Sequence, residues 1–283
     1  MHDHLDFLLF KSVEEDTAHR SLKNLLVNEA TLKRYAEEIS EPMIVPDLLG
    51  KSVKASPLQF PKIYEVAEQI CSIINIEVPD IYIYEGYAYL IDSNGLSSPR
   101  LEVSARLIRD FEELELTHCF AKELMHIKLG HIETEVLVER MAEAIHCMGS
   151  LPVISTLKLI GGPQVLSMIL RAKAFKWFRE AVFTAENFAT AYTADVGASI
   201  RSTLLQVFNN REVVHQIDVA SFCDQVGAIE MIEGSAAVYT KLDEVIPYTP
   251  YRITNILQYA SSQRGIELRT VLAGAKSEIG LNQ

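Results

Sequence analysis

The chain has 283 residues, and 48% are hydrophobic, enough to bury a sizeable core as one large domain or two small ones. A net charge of -12 argues against nonspecific binding to nucleic acid or an anionic membrane, because neutralising phosphate takes clustered Lys and Arg. Cys71, Cys119, Cys147 and Cys223 are widely spaced without a C-x-x-C pair, so reduced thiols in a soluble, cytoplasmic protein are expected. The acidic start, Met-His-Asp-His-Leu-Asp, lacks the basic residues and apolar run of a secretory signal.

In chain order, residues 13–40 carry Leu22, Leu25, Leu26, Leu32 and Tyr35 at helical spacing among charges, which predicts helix. Pro42, Pro46 and Gly50 then predict a loop or short extended piece. Pro61 suits the first turn of a helix running to about Ile74. Asp80 to Tyr84, Tyr87 to Ile91 and Leu101 to Ser104 alternate and are rich in β-formers, with turn residues Ser93-Asn94-Gly95 between the last two, predicting a small sheet. From Asp110 onward the pattern is helical, with breaks near Gly130, 149–152, 161–163, Asn209-Asn210 and Pro247 to Pro250. The greasiest stretch, Ala144 to Leu170, is interrupted by His146, Pro152, Lys158 and a Gly-Gly-Pro turn, so it reads as two buried or interfacial helices rather than a membrane span. The fold class expected is α+β, mostly helical with a small antiparallel or mixed sheet. It is expected as one domain over 1–283: a helical extension at 1–45, a helix plus sheet at 46–109 and a helical body at 110–283.

The chemistry concentrates at 115–131. A zincin helix carries H-E-x-x-H, whose two His share one helix face and hold Zn²⁺ while the Glu activates the metal-bound water. Here the stretch is Lys122-Glu123-Leu124-Met125-His126, with lysine in the first ligand's place. His118, Lys122 and His126 recur at steps of four and share a face, and Glu123 lies about 100° round from Lys122. Such a trio alone is more often buried or capping histidines. The run around it adds weight: Glu113 and Glu115 precede, and Ile-Lys-Leu-Gly-His131 follows.

This run resembles the helix of the HtpX/CAAX-prenyl-protease-type zinc metallopeptidases, roughly E-L-x-x-V-x-x-H-E-L-G-H-I-x-x-G-H. Upstream, Asp47 to Lys54, Gln59-Phe-Pro61, Pro79 to Tyr84 and Leu101 to Ser104 look like that family's lead-in to its sheet and edge strand. Downstream, Trp177 to Glu186 is similar to W-x-R-x-x-E-x-x-A-D, and Ile246 to Arg252 to H-P-x-x-x-x-R. The resemblance implies a zincin-like metallopeptidase fold. Read position by position, it matches Glu123 as base, His126 as one zinc ligand and Arg252. It also puts Lys122 in place of the first ligand, Val182 in place of the ligand Glu, Glu186 in place of the following Asp and Ile246 in place of the oxyanion-assisting His. A register shifted through Ala191 to Asp195 would put Ala191 in the ligand's place instead.

A catalytic zinc needs three protein ligands and an open position. Lysine coordinates only after losing a proton, unfavourable at its usual pKa of about 10.4, and valine cannot coordinate. No cofactor is therefore expected, unless zinc is held by a set rebuilt from His118, His131, Glu186 and Asp195. Formal charge nevertheless balances: Lys122 and Glu123 sum to zero, as do Zn²⁺ and two glutamates, so the ammonium is expected to pair with Glu123 near the vacated metal position. His131, ending the helix, is expected to cap its last carbonyls. Trp177, Phe175 and Phe178 read as core, while Tyr82, Tyr84, Tyr87 and Tyr89 are either ordinary strand residues or a peptide groove. Three functions follow: a pseudopeptidase that binds a protein, peptide or small molecule in its cleft; a metal-free enzyme using Lys122, Glu123 and His126 on a small molecule; or an active metallopeptidase with unusual ligands.

Overall fold

A computed structural model describes residues 5–150, 162–232 and 244–280. Its N-terminal part holds α1 (Glu15–Lys23), α2 (Glu29–Tyr35), a π turn (Ala36–Ser40), α3 (Glu41–Lys51), β1 (Ser52–Lys54), α4 (Pro61–Ile74), β2 (Asp80–Tyr84), β3 (Ile91–Asn94) and β4 (Arg100–Ser104). Helices follow: α5 (Ala105–Asp110), α6 (Glu113–Lys128), α7 (His131–Ser150), α8 (Gly162–Thr193), α9 (Val196–Phe208), α10 (Arg211–Val214), α11 (Val219–Met231), α12 (Thr249–Ser261) and α13 (Gln263–Glu278). This is the mostly helical α+β arrangement expected, zincin-like in combining a long site helix with a small mixed sheet. The strand order is β1-β2-β4-β3: the inner pair β2 and β4 run parallel, and β1 and β3 flank them antiparallel.

Four local expectations need correction. The N-terminal helix is interrupted between α1 and α2, where Asn28 adopts a left-handed conformation (φ 55°) that ends the periodic run. Residues 41–51 are helix, not loop. Pro42 sits in the first turn, where a missing N–H costs nothing, and Pro46 forfeits one bond without stopping the helix at Lys51. The third strand starts at Ile91 rather than Tyr87 and runs through Ser93 and Asn94. The backbone before it is drawn elsewhere: the Tyr89 N–H bonds the Asn209 side chain at 2.5 Å, and its buried ring donates through the hydroxyl to Asp110. Finally, the helical body has a break at Ala194 (φ 57°), after which Asp195 caps α9 through the Ala198 N–H at 2.8 Å. Part of the greasy 144–170 stretch lies outside the described residues. Among the described residues no helix is long and apolar enough to cross a membrane.

Two apolar clusters share α8 as their common wall. The larger joins the sheet to α4, α6, α9 and α12, and takes Ala185, Phe188 and Tyr192 from α8. The smaller joins α1 and α7 to Leu170, Ala174, Trp177 and Ala181 of α8. The N-terminal segment contributes to both, with Phe10 edge-on to Phe188 in the first and Leu22 fully buried in the second. The seam between the clusters crosses α8 at 181–185. That seam is where α6 brings its site residues.

Candidate functional site

Helix α6 starts with a capping box: the Glu112 and Glu115 side chains each satisfy a backbone N–H at the first turn. Glu115 is fully buried and also accepts from Arg201 (3.0 Å) and Arg211 (2.5 Å), which anchors the N-terminal end of the helix. Cys119, Phe120, Ala121, Leu124 and Met125 are buried, so the helix is held along its length and its remaining positions are fixed in direction.

At the other end, Lys122 Nζ lies 2.9 Å from Glu123 Oε1, with the two side chains 13% and 8% exposed. Burial alone would depress the lysine's pKa, but the Glu123 carboxylate outweighs it and raises that pKa above its ordinary value. Lys122 therefore stays an ammonium. The other Glu123 oxygen accepts from Ser93 of β3 twice, from Oγ at 2.9 Å and from N at 3.2 Å. Both carboxylate oxygens are engaged.

Around this pair β3 and α7 pack against α6. Asp92 on β3 and Glu135 on α7 stand near it and are exposed to solvent, though protein atoms crowd both. That crowding, together with the Glu123 charge, pushes the Asp92 carboxyl up to about 6. For Glu135, burial, then Glu139, Glu123 and Asp92, push it up to about 7. Sequence reasoning missed Ser93, Asp92 and Glu135, and no local pattern marks them.

His126 points into the same region, and burial, with His131 and Lys122 nearby, holds its pKa well below the ordinary histidine value. Its Nδ1 lies 2.8 Å from His131 Nδ1, and His131 Nε2 lies 3.1 Å from Glu15 Oε1. His131 thus does not cap α6. It opens α7, its ring edge-on to Trp177, and reaches across to α1. Burial opposes ionisation of Glu15, but hydrogen bonds from His131 and Thr184 prevail and hold its pKa below the carboxylate norm.

The remaining expected residues sort by the packing of α6 against α8. Trp177 meets His131, and the Ala189 backbone meets His118. The antiparallel register between those contacts places 181–186 opposite 122–126. Val182 is half-buried on α8. Ala191 belongs to the far end, in a pocket of about 470 Å³ with Val66, Thr117 and Lys276. That pocket is remote from the site, and the Lys276 ammonium is committed to the Tyr192 carbonyl at 2.6 Å and to its ring. Glu186, fully buried, is paired to Arg252 (2.7 Å) and accepts from Thr203. His118 is enclosed, and burial drives its pKa down to about 3, with Lys122 and Arg252 adding to the effect. Ile246 is 53% exposed, and Asp195 is used as a helix cap. Trp177 is core, with Phe175 and Phe178 packed against it, while the tyrosines divide: Tyr82 and Tyr89 are buried and Tyr87 is exposed.

The residues do not fit zinc. Glu123 is paired to Lys122 and Glu186 to Arg252, and His126 Nδ1 is engaged by His131. Among the described residues no three His, Cys, Asp or Glu side chains come together as a metal-holding group.

Comparison with known proteins gave one curated relative, Plastoglobule-localized metallopeptidase 48, chloroplastic, from Arabidopsis thaliana. It is 23% identical over 239 residues, 81% of this chain and 66% of the relative, so the chain spans just under two thirds of the relative's length. No family model matches, and no solved structure matches.

Proposed function

We propose that this chain, which has family-level similarity to the HtpX/CAAX-type metallopeptidases with a degenerate ligand set, is a pseudopeptidase: a zincin-like scaffold whose cleft binds a protein, peptide or small molecule without hydrolysing it. One observation carries the reading. The glutamate that would activate water is held by Lys122 and Ser93, and that lysine is the residue the resemblance puts in place of the first metal ligand. A general base must reach the proton it removes. Both Glu123 oxygens are already hydrogen-bonded, and among the described residues no group of ligands would hold a metal to polarise a water.

We read the whole of 1–283 as one metallopeptidase-like domain and a reducing compartment such as the cytoplasm as its setting. The buried thiols of Cys71 and Cys119, pushed up to about 12 and about 11 by burial, accord with that setting. A metal-free enzyme using Lys122 as amine base or Schiff-base former is disfavoured, because Glu123 keeps the lysine protonated.

The test is elemental analysis of the purified chain beside a peptidase assay with and without chelator. Well under one zinc per chain and no chelator-sensitive cleavage are expected. Lys122→His combined with Val182→Glu should raise zinc content towards one. Near-stoichiometric zinc in the unaltered chain would refute the proposal.

A further inference from the structure

We infer that the gap between α6 and α13 is a second binding site, for a small zwitterion of the amino-acid class. Its carboxylate lies against Lys276 and Arg269, and its ammonium towards Glu113. Helices α6 and α13 both pack against α4 and α8, and the space left between them is a pocket of about 470 Å³. That volume falls within the range of small-molecule sites, about 300–1,000 Å³. One wall is a stripe of α13, where Arg269, Leu272, Ala273 and Lys276 recur at steps of three and four and so share a helix face. The first turn of α6 supplies Glu113 and Leu114, and α4 supplies Val66. Glu113 stands about 15 Å from Glu123 along the helix axis, so this is a separate place from the degenerate metal site.

The two walls carry opposite charges that nothing cancels. Lys276 Nζ donates to the Tyr192 carbonyl at 2.6 Å and sits 3.9 Å from the centre of the Tyr192 ring. Both contacts are neutral, so they fix the ammonium in place and leave its charge uncompensated. The carbonyl takes only one of its three N–H groups. Arg269 likewise gives Nη2 and Nε to the Ala260 and Gly265 carbonyls. Among the described residues neither cation has an ion-pair partner, and nor does Glu113 on the other wall. Enclosed cations of the degenerate site are treated differently: Lys122 pairs with Glu123 and Arg252 with Glu186. Burial holds the Lys276 pKa below its ordinary value, with no carboxylate to offset it. Capping accounts for one contact of each cation, since Tyr192 and Ala260 lie in the last turns of α8 and α12. It does not account for two such cations sharing one cavity with an unpaired acid.

A ligand that answers both walls carries an anion, a cation and an apolar part. A carboxylate meets Lys276 and Arg269 through charge-assisted hydrogen bonds, and an ammonium is drawn to Glu113. Val66, Leu114 and Leu272 favour an apolar side chain. Leucine has all three features. A plain anion would meet the Glu113 charge, and a plain amine would meet the two cations.

The test is calorimetric titration of the full chain with leucine, with isocaproate, which lacks the amine, and with isopentylamine, which lacks the acid. Saturable binding of leucine is expected, about tenfold or more tighter than either analogue, as the loss of one charged hydrogen bond requires. Lys276→Met should weaken leucine by about tenfold or more. Glu113→Gln should bring leucine down to the affinity of isocaproate and leave isocaproate no weaker. Should Lys276→Met fail to fold without its bond to Tyr192, Ala273→Phe fills the cavity from an exposed position on α13 and must remove binding likewise. No saturation by about 10 mM leucine, equal affinity for leucine and isocaproate, or binding that survives Ala273→Phe overturns the inference. Zinc content and peptidase activity have no bearing on these outcomes, so the site stands or falls separately from the pseudopeptidase reading.

Discussion

Glu115 and Glu123 lie two turns apart on one helix, both buried and both paired to cations, yet they do different things. Glu115 is gripped by Arg201 and Arg211, whose side chains are 37% and 27% exposed, so its charge is neutralised by groups that still touch water. Glu123 is paired to a lysine almost as enclosed as itself, with two further acids, Asp92 and Glu135, near it. The first arrangement fastens a helix end. The second is a closed charge pair where a metal centre would otherwise stand. What separates a structural carboxylate from a site carboxylate is the exposure of its partners, not its own burial.

Removing a partner on each side should expose that difference. Lys122→Met strands Glu123 among Ser93, Asp92 and Glu135. Breaking a buried pair costs about 3–5 kcal/mol, and a loss of that size is expected in the urea midpoint at neutral pH. Adding Glu123→Leu to Lys122→Met should return stability close to that of the unaltered chain, since an apolar pair needs no compensation. Glu115→Ala comes second, at about 2 kcal/mol in the same titration. The arginines it releases can turn to solvent, and the capping box is lost with it. A larger loss at 115 than at 122 would reverse the ranking.

How much of this could be read from the residues themselves divides along similar lines. The helix 113–128, the strands at 80–84 and 100–104 and the helix from Pro61 follow from periodicity and turn chemistry, which are local. The lysine in the ligand position was legible for the same reason. The helix over 41–51 was not, because two prolines outweigh a periodic pattern in any local reading, although one of them sits where it does no harm. Nor were the partners of the site. Ser93 lies in a run that reads as a turn, and Glu15 in a helix that reads as an extension; their contacts to Glu123 and His131 span 30 and 116 residues. Such pairings arise only when the two apolar clusters assemble against α8 and bring the sheet edge and α1 to the same seam.

Smaller effects sharpen the contrast from the Glu123 side. Ser93→Ala deletes the 2.9 Å bond to Glu123 and leaves the backbone bond in place, so a loss of about 1 kcal/mol is expected from denaturant unfolding. Glu135→Gln should do least and is informative through its sign. The Glu135 carboxyl is raised to about 7 in the fold and returns towards about 4.3 on unfolding. Between those values the folded chain binds more protons than the unfolded one, so this group's contribution to stability declines as pH rises through the window. Histidines work the other way. His118, lowered to about 3, gains a proton on unfolding below about pH 6.5, so its contribution declines as pH falls. Above about pH 6.5 the histidine effect is spent and Glu135 is the group still titrating. The urea midpoint of the unaltered chain should therefore fall slightly from about pH 6.5 to about 8, by about 0.5 kcal/mol or less because solvent screens the side chain. In Glu135→Gln that decline should vanish while the acid-side loss persists. If the decline survives the substitution, the acids near Glu123 do not repel one another, and Glu123 is no more exceptional than Glu115.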